Sequence, residues 1–308
     1  LAKITGKQIF KAVKRADYPA VGDWVAISEL DGKKAVIRHI LPRKTILKKK
    51  YSDKQDAQVI AANIDTAFIV EAMDRDYNLN RLERYLVLTN EAGIEPAIVL
   101  NKTDLIPEIE LDQRIKEIKN RFGEIDVLRT SAVENRGLDE LTNRISKGKT
   151  YCFLGSSGVG KSSLINKLLK KNAIETREIS GSTGKGRHTT TTREMYFLES
   201  GGIVIDNPGT REVGITEAGT GIEHVFDEII SLSQKCKYVD CAHVREPGCA
   251  VLQALREGKL DKAKYENYIK LRKENEFYEM TDADKKKKER RFGKFLKKAI
   301  DQLKELES

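Results

Sequence analysis

The most informative segment for the fold of this chain is Gly155-Ser156-Ser157-Gly158-Val159-Gly160-Lys161-Ser162. It follows the apolar run 152–154 and precedes residues 161–169, which carry the apolar spacing of an amphipathic helix. Glycines in this order let backbone N–H groups wrap around phosphates, and the N-terminus of the following helix adds positive potential. A strand, a glycine-rich loop and a helix in succession therefore predict a phosphate-binding P-loop in an α/β domain.

The chemistry of nucleotide phosphates assigns roles to side chains of this loop. Lys161 is expected to reach the β- and γ-phosphates, and the hydroxyl of Ser162 is expected to ligate Mg²⁺. The predicted nucleotide contacts of the segment are Gly155, Ser156, Ser157, Gly158, Val159, Gly160, Lys161, Ser162 and Ser163.

Two further motifs predict the base. Asn101-Lys102-Thr103-Asp104 follows the apolar run 97–100, and an aspartate carboxylate can accept hydrogen bonds from both N1 and N2 of guanine. Thr130-Ser131-Ala132 follows a second short run, 126–128, and fits the other guanine-contacting loop of GTPases. We therefore predict a guanine nucleotide. The predicted base contacts are Asn101, Lys102, Asp104, Ser131 and Ala132.

The motif Asp206-Asn207-Pro208-Gly209 follows the apolar run 203–205 and fits the loop that senses the γ-phosphate. Asp206 is expected to hold Mg²⁺ through water, and the amide of Gly209 to face the γ-phosphate. The guanine motifs at 101 and 131 precede the P-loop, whereas ordinary GTPases have the P-loop first. The sequence therefore predicts a circularly permuted GTPase domain, because a doubly wound sheet tolerates permutation when its natural termini lie close together.

Three regions are predicted, with boundaries at 1–57, 58–225 and 226–308. In the first, short apolar runs flank Asp31-Gly32 and indicate a hairpin within a small β-barrel. In the second, apolar runs rich in Val and Ile alternate with amphipathic stretches, which favours a parallel sheet covered on both faces. The third is mostly helical and charged. Because the segment after Asp206 leads directly into it, switch movement on hydrolysis is expected to be transmitted to the metal-binding module.

The amino-acid composition excludes several classes of protein. The 308 residues are 39% hydrophobic and 33% charged, which excludes a wholly disordered chain, a collagen-like fibre and a disulfide-rich secreted scaffold. No run approaches the ~20 apolar residues of a membrane helix, and Leu1 to Phe10 has no signal-peptide pattern. We therefore expect a cytoplasmic protein that does not associate with membranes.

The positive charge is concentrated at the two ends of the chain. Residues 1–50 hold thirteen Lys or Arg against four Asp or Glu, and residues 285–298 hold nine against one. Two such clusters favour a nucleic-acid partner, although a lysine-rich surface can also serve only solubility. Trp24 could stack on a base, but a tryptophan in a strand is more often a core residue. The candidate contacts are Lys7, Lys11, Lys14, Arg15, Trp24 and Lys48 to Lys50.

Three of the four cysteines, Cys236, Cys241 and Cys249, lie within fourteen residues and surround His243. In a chain without a secretory signal, this grouping favours a metal over disulfides. Three thiolates and one imidazole suit a closed tetrahedral site, so one structural Zn²⁺ is predicted. The remaining cysteine, Cys152, lies in the strand before the P-loop and is predicted to be a core residue.

Taken together, these motifs resemble those of the circularly permuted GTPases that depend on the small ribosomal subunit, the RsgA/YjeQ family. Gly22-Asp23-Trp24-Val25 resembles the barrel signature of the family, 78–86 its helix after the first strand, and 186–191 its switch I segment. The cysteine and histidine spacing resembles its zinc signature. The resemblance implies an N-terminal OB-fold, a permuted P-loop GTPase domain and a C-terminal helical zinc-binding domain. The usual leading strand pair of the OB-fold is not recognised in this sequence, so a truncated barrel is expected.

The resemblance also implies a function and further site residues. It implies GTP hydrolysis that the small ribosomal subunit stimulates, during late maturation of that subunit, by a monomer that contacts its rRNA. His188 would position the attacking water, because Thr210, after the Asp-x-x-Gly loop, is too short for that role. Otherwise His188 would contact RNA or solvent. Thr190, in preference to Thr189, would ligate Mg²⁺ together with Ser162 and Asp206.

Three functions remain open from the sequence. The leading one is a GTPase that acts on the small ribosomal subunit. The second is a binding module in which the bound nucleotide only sets the affinity for RNA. The third is a GTPase of the same architecture that acts on another RNA. Turnover measured with and without small subunits distinguishes the three.

Overall fold

The computed structural model describes residues 2–4, 15–30, 34–49, 57–74, 77–171, 174, 194–206, 218–281, 283, 284, 287 and 290. Within these residues the strands are β1 (Ala2–Ile4), β2 (Val25–Glu29), β3 (Ala35–Ile40), β4 (Ile46–Lys49), β5 (Gln58–Ala62), β6 (Thr66–Ala72), β7 (Glu95–Asn101), β8 (Val127–Arg129), β9 (Thr150–Leu154), β10 (Glu194–Phe197) and β11 (Ile203–Asp206). The α-helices are α1 (Leu79–Glu91), α2 (Glu108–Phe122), α3 (Leu138–Asn143), α4 (Lys161–Leu169), α5 (Gly219–Val225), α6 (Asp227–Ser233), α7 (Ala250–Arg256) and α8 (Lys262–Glu279).

The N-terminal strands form two small sheets. In the first, β3 lies between β1, which is parallel to it, and β2, which is antiparallel. This pairing confirms the predicted β2–β3 hairpin, although Asp31 and Gly32 lie outside the described residues. In the second, β4 pairs with β5 in antiparallel orientation. The boundary after residue 57 stays a prediction, and strand pairing extends across it as far as Ala62.

Arg43 holds the segment that leads into β2. Its guanidinium donates to both carboxylate oxygens of Asp23, each at 2.7 Å, and to the backbone carbonyls of Ala16 and Tyr18 at 2.7 and 2.9 Å. The carboxylate also accepts a hydrogen bond from the amide of Ala20 at 2.7 Å. Bidentate pairs of this kind fix geometry as well as charge, so this ion pair organises the turn before β2.

The central sheet has six strands in the order β10-β11-β9-β6-β7-β8. All neighbours are parallel except β10 and β11. Phe68, Ile69 and Val70 of β6 are fully buried, as expected for a strand covered on both faces. One face packs against α1, α2 and the C-terminal helices, and the other packs against α3 and α4. The predicted α/β class, with a parallel sheet covered by helices, is confirmed.

The C-terminal helices pack directly on α1. Ile222, Phe226, Tyr268 and Leu271 belong to the same buried cluster as Leu86 of α1. The boundary after residue 225 therefore stays a prediction, because no break in the core marks it within the described residues. Over those same residues, no helix combines the length and apolar character that crossing a membrane requires. The predicted helix at 295–306 lies outside them.

Candidate guanine-nucleotide and zinc sites

Four parallel strands bring the predicted motifs to one edge of the sheet. β7 ends at Asn101, β8 ends two residues before Ser131, β9 ends directly before Gly155 and β11 ends at Asp206. Because these strands are neighbours, or are separated only by β6, their carboxyl ends lie side by side. Ligands bind at this edge in open α/β sheets, so the predicted site residues are gathered where a nucleotide is expected.

Two glycines of the P-loop are required by close contacts. Gly155 has φ +147°, and a Cβ placed on it would lie 2.3 Å from the carbonyl oxygen of Val70 in β6. Gly160 has φ +97°, and a Cβ there would lie 2.2 Å from Nδ2 of Asn101. The loop therefore contacts β6 on one side and the guanine motif on the other. A side chain at either glycine would clash and displace the P-loop from these neighbours.

The ammonium group of Lys161 lies inside the P-loop. Lys161 is buried, and its Nζ donates to the carbonyl oxygens of Gly155 and Ser156 at 2.9 and 2.7 Å. These bonds hold the positive charge beside backbone that is shaped to receive phosphate. The other predicted contacts of the segment follow the loop into the first turn of α4. Ser156 and Val159 are buried, Ser162 and Ser163 are half-buried, and Ser157 and Gly158 are exposed.

Asn101 joins the guanine motif to the P-loop. Its Nδ2 donates to the carbonyl oxygen of Val159 at 2.8 Å, and its Oδ1 accepts from the hydroxyl of Thr130 at 3.1 Å. All three residues are buried. The donor and the acceptor of one amide thus connect three separate segments of the chain.

Ser131 fixes the carboxylate of Asp104. Its hydroxyl donates to Oδ1 of Asp104 at 2.5 Å and accepts from the amide of Glu134 at 3.1 Å. Asp104 remains half-buried, as does the neighbouring Ala132. The two predicted guanine loops therefore meet, and one serine orients the carboxylate predicted to recognise the base.

One ion-pair partner in this region is not predicted from the sequence. Lys102 has φ +60°, and its Nζ forms an ion pair with Oδ2 of Asp74 at 3.0 Å. Asp74 follows β6 and belongs to no recognisable motif. Its position in the sequence carries no signal for this pairing, because only the adjacency of β6 and β7 in the sheet brings the two side chains together.

Asp206 provides an acceptor suited to a cation. The residue is buried, and its Oδ1 has no hydrogen-bond partner among the described residues. Burial raises the pKa of this carboxyl, the ammonium of Lys161 acts in the opposite direction, and Glu194 adds to the increase. A buried carboxylate oxygen without a donor is costly, and a hard divalent cation such as Mg²⁺ satisfies it. The carboxylate of Asp206 is thus a suitable ligand for the predicted Mg²⁺.

Four predicted residues lie outside the described part of the chain. They are His188, Thr189, Thr190 and Gly209. Their assigned roles stay predictions from the sequence.

The second predicted site lies in the C-terminal region. One ligand atom each of Cys236, Cys241, His243 and Cys249 lies within 4.8 Å of the others. The Sγ atoms of Cys236 and Cys249 are 3.8 Å apart, and they lie 3.6 and 3.5 Å from Nδ1 of His243. A tetrahedral zinc ion with Zn–S bonds of ~2.3 Å and a Zn–N bond of ~2.1 Å separates such atoms by ~3.8 and ~3.6 Å. The cluster therefore fits Zn²⁺.

The surroundings of this cluster hold its ligands in place. Cys249 is the N-cap of α7, and its Sγ accepts a hydrogen bond from the amide of Leu252 at 3.4 Å. His243 has φ +60°, and its carbonyl oxygen accepts from the hydroxyl of Tyr265 on α8 at 2.7 Å. Cys152, by contrast, is fully buried in β9, which confirms its prediction as a core residue, and burial raises the pKa of its thiol to about 12.

The expectation that Trp24 is a core residue was wrong. Its side chain is 69% exposed beside β2, and its carbonyl oxygen accepts from the amide of Leu41 at 2.8 Å. An exposed tryptophan on a basic region is available for stacking. Arg15 lies in a short 3-10 turn, and Lys48 and Lys49 lie in β4. The other candidate RNA contacts, Lys7, Lys11, Lys14 and Lys50, lie outside the described residues.

Comparison with family models and curated proteins gives consistent matches. The model described as RsgA GTPase matches residues 40–216, and one described as 50S ribosome-binding GTPase matches residues 150–287. The chain is 42% identical over 299 residues to the small ribosomal subunit biogenesis GTPase RsgA 1 of Bacteroides thetaiotaomicron, across 96% of this chain and 83% of the relative. It is 40% identical over 301 residues to the protein named small ribosomal subunit biogenesis GTPase RsgA in Leptospira interrogans, with the same coverage.

Two solved structures are similar over most of the chain. YjeQ from Thermotoga maritima aligns with a TM-score of 0.61 and 30% identity, covering 88% of this chain and 87% of that one. YloQ, described as a circularly permuted GTPase, aligns with a TM-score of 0.58 and 26% identity, covering 90% and 87%. The predicted permuted arrangement is confirmed.

Proposed function

This chain belongs to the RsgA GTPase family and is a GTPase, and we propose that it hydrolyses GTP on the small ribosomal subunit during late maturation of that subunit. Docking on the subunit accelerates hydrolysis, and hydrolysis in turn changes the affinity for the subunit. The curated relatives carry a name of this kind. The second matching family model refers to the 50S subunit, but it covers only the chain from β9 onward.

The contact of Asn101 with Val159 is the observation that carries the proposal. It joins the base-recognition motif to the phosphate-binding loop by a buried hydrogen bond of 2.8 Å. The same amide is fixed on its other side by Thr130, and Ser131 orients Asp104. A site built from all three segments discriminates guanine from other bases while it holds the phosphates.

We assign the hydrolytic step to residues around this edge of the sheet. Ser162, Asp206 and Thr190 would hold Mg²⁺, which neutralises charge on the phosphates when it is bound. Lys161 supplies a second positive charge, and the amide of Gly209 contacts the γ-phosphate. His188 orients the attacking water, so the rate depends on how the subunit places this residue.

The zinc ion has a structural role in this proposal. The set of three cysteines and one histidine fills a tetrahedral coordination sphere and leaves no position for a substrate. Bound zinc would fix the 236–249 loop against α7 and α8, and so keep the C-terminal surface in one conformation.

The proposed partner surface is basic. The N-terminal region, with exposed Trp24 and its surplus of lysine and arginine, would contact rRNA through phosphates and base stacking. The lysine-rich stretch 285–298 would add phosphate contacts. We propose that the protein acts as a cytoplasmic monomer that does not associate with membranes.

The test is GTP turnover with and without purified small ribosomal subunits, at low and moderate salt. We expect a large increase with subunits, which ATP does not reproduce and which higher salt reduces. His188→Ala should lose most of the stimulated rate and keep nucleotide binding. Full stimulated turnover in that variant would exclude the role assigned to His188.

The same assay separates the two other functions. Nucleotide-dependent binding to the subunit without faster turnover would identify a GTP-sensing binding module. Stimulation by an RNA other than the intact subunit would identify a different substrate for the same chemistry.

A further inference from the structure

The guanine motif is held on its β8 side by two side chains that contact Thr130. Oδ1 of Asn101 accepts from the hydroxyl of Thr130 at 3.1 Å, and the hydroxyl of Thr103 donates to the carbonyl oxygen of Thr130 at 3.1 Å. All three residues are at most 2% exposed. Lys102 lies between Asn101 and Thr103 in the chain. Its side chain reaches Asp74, which follows β6, the neighbour of β7 on the side opposite to β8.

The backbone of Lys102 starts the turn that carries the carboxylate proposed to recognise guanine. Its φ of +60° is a left-handed conformation, which is unfavourable for a residue with a Cβ. Its carbonyl oxygen accepts from the amide of Leu105 at 3.0 Å, which closes the 3-10 turn Thr103–Leu105 around Asp104. The side chain of Lys102 makes no capping hydrogen bond to this turn. The orientation of Asp104 therefore depends on how Lys102 is held from outside the turn.

Asp74 provides an acceptor whose backbone is itself held. Its Oδ2 lies 3.0 Å from Nζ of Lys102, and the two side chains are 29% and 25% exposed. The amide of Met73, directly before it, donates to the carbonyl oxygen of Asn101 at 2.8 Å. The carbonyl oxygen of Asp74 accepts from the amide of Tyr77 at 3.2 Å. The carboxylate therefore has a defined place beside the guanine motif.

The ion pair restricts a side chain that is otherwise flexible. A lysine carries its charge on a four-carbon stem with many rotamers, and it loses this freedom when a ligand orders it. In this protein Asp74 already limits the rotamers of Lys102, so the ordering cost is partly met before a nucleotide binds. Binding to a site that is organised in advance costs less conformational entropy, which raises the affinity.

From these contacts we propose that Asp74 is a positioning residue for guanine-nucleotide binding. It acts through Lys102, because it holds the side chain of this proposed base contact and the residue from which the turn carrying Asp104 starts. The pair lies beside the guanine motif and not in the P-loop, so it contributes equally to the binding of GDP and GTP. The inference rests on the proposed function, since it adds a residue to the guanine site proposed there.

The experiment measures the binding of GDP and of a non-hydrolysable GTP analogue by titration calorimetry. Asp74→Asn keeps the shape of the side chain and removes its charge, so we expect both affinities to fall by the same factor, about two- to fivefold. In GTP turnover, KM should rise by that factor while kcat stays unchanged, because the contact is equally strong in the ground state and the transition state. Wild-type affinity for both nucleotides in this variant would overturn the proposal.

Asp65→Asn is the matched control. Asp65 directly precedes β6 at its other end, and its carboxylate pairs with Nζ of Lys149 at 2.8 Å. The variant thus breaks an ion pair of the same kind on the same strand, at the edge of the sheet opposite to the nucleotide site. It should keep the wild-type affinities. Equal losses in both variants would mean that the contact of Asp74 with the guanine motif is not the cause, which would overturn the proposal.

A double-mutant cycle tests whether Asp74 acts through Lys102. Lys102→Met removes the ammonium group and keeps the stem, and we expect it to lower both affinities. In that background Asp74→Asn should cause no further loss, since the pair is already broken. A loss of the same size in both backgrounds would contradict the proposal and leave the proposed function intact. If the wild-type protein did not bind guanine nucleotides at all, the proposed function itself would fail, which is a separate outcome.

Discussion

Asn101 donates a hydrogen bond to the carbonyl oxygen of Val159 at 2.8 Å, although the two residues are separated by 58 positions and the guanine motif comes first in the chain. The contact depends only on the adjacency of the ends of β7 and β9 beside β6 in the sheet. A circular permutation moves the chain termini and leaves this adjacency intact. The geometry of the site is therefore independent of the order in which its segments are synthesised.

The first prediction concerns this amide. Asn101→Ala leaves the buried carbonyl of Val159 without the amide that donates to it, which costs about 1–3 kcal/mol. The hydroxyl of Thr130 loses one of its two acceptors and keeps the carbonyl of Leu100. We expect GDP and GTP affinities to fall together by about tenfold or more, measured by titration of a fluorescent guanine nucleotide. Asn143→Ala, at the exposed end of α3, is the control and should bind normally. Unchanged affinity in the Asn101 variant would contradict the assigned bridging role.

The second prediction concerns base recognition by Asp104. In Asp104→Asn the amide can donate to the O2 carbonyl of xanthine but can no longer accept from both N–H groups of guanine. We expect GDP affinity to fall by about 100-fold and xanthosine diphosphate to bind better than in the wild type. Competition binding with the two nucleotides measures this. Glu134→Gln is the control. Glu134 contacts Ser131 only through its backbone N–H, so this variant should keep the wild-type preference for GDP over xanthosine diphosphate.

The third prediction concerns the metal. We expect about one zinc ion per purified chain, measured by elemental analysis, because the ligand distances match those of tetrahedral zinc. Cys249→Ser should lose the metal and lower the thermal midpoint, since the ion and the cap of α7 depend on the same sulfur. Cys152→Ala removes a buried cysteine from β9 and should retain full zinc content. Zinc loss in both variants, or in neither, would argue against the assigned ligand set.

The fourth prediction concerns the ion pair of the N-terminal region. Arg43→Ala leaves the carboxylate of Asp23, whose side chain is 1% exposed, without its bidentate partner. Removing one member of such a pair costs about 3–5 kcal/mol of unfolding free energy. Urea denaturation followed by far-UV circular dichroism measures this loss. Arg38→Ala, on the exposed face of β3, should change the free energy of unfolding by only about 0.5 kcal/mol.

The fifth prediction uses the exposure of Trp24. Because the side chain is 69% exposed, Trp24→Ala should change stability by only about 0.5 kcal/mol. Loss of base stacking should weaken binding to the small subunit by about 1–3 kcal/mol, and Trp24→Phe should retain part of the affinity. Sedimentation with purified subunits measures the effect. Wild-type affinity in the alanine variant would remove Trp24 from the proposed RNA surface.

Local sequence was sufficient to predict the helices and strands of the α/β core, because the patterns that indicate them span only a few residues. Residues 161–169 are predicted as a helix from their apolar spacing, and α4 covers the same residues. β9 and β11 follow from short apolar runs next to the P-loop and Asp206. Strand and helix periodicities, and the need for glycine in a phosphate loop, are properties of a few consecutive residues.

Trp24 shows where local sequence was insufficient. Alternation along β2 separates the two faces of the strand, but it does not tell which face other elements cover. That depends on the neighbours of the strand in three dimensions, and the side chain is exposed. The pairing of β5 with β4 across the predicted boundary at residue 57 also depends on which strands are neighbours in three dimensions.

The guanine-nucleotide motifs, their permuted order and the four candidate zinc ligands can be identified from residues that lie close together in the sequence. The pairing of Asp74 with Lys102 and of Arg43 with Asp23 depends on tertiary contacts. The two groups of features differ in the range of the interactions that produce them. The motifs consist of residues close together in the sequence, whereas these contacts join side chains that meet only after strands and helices have packed.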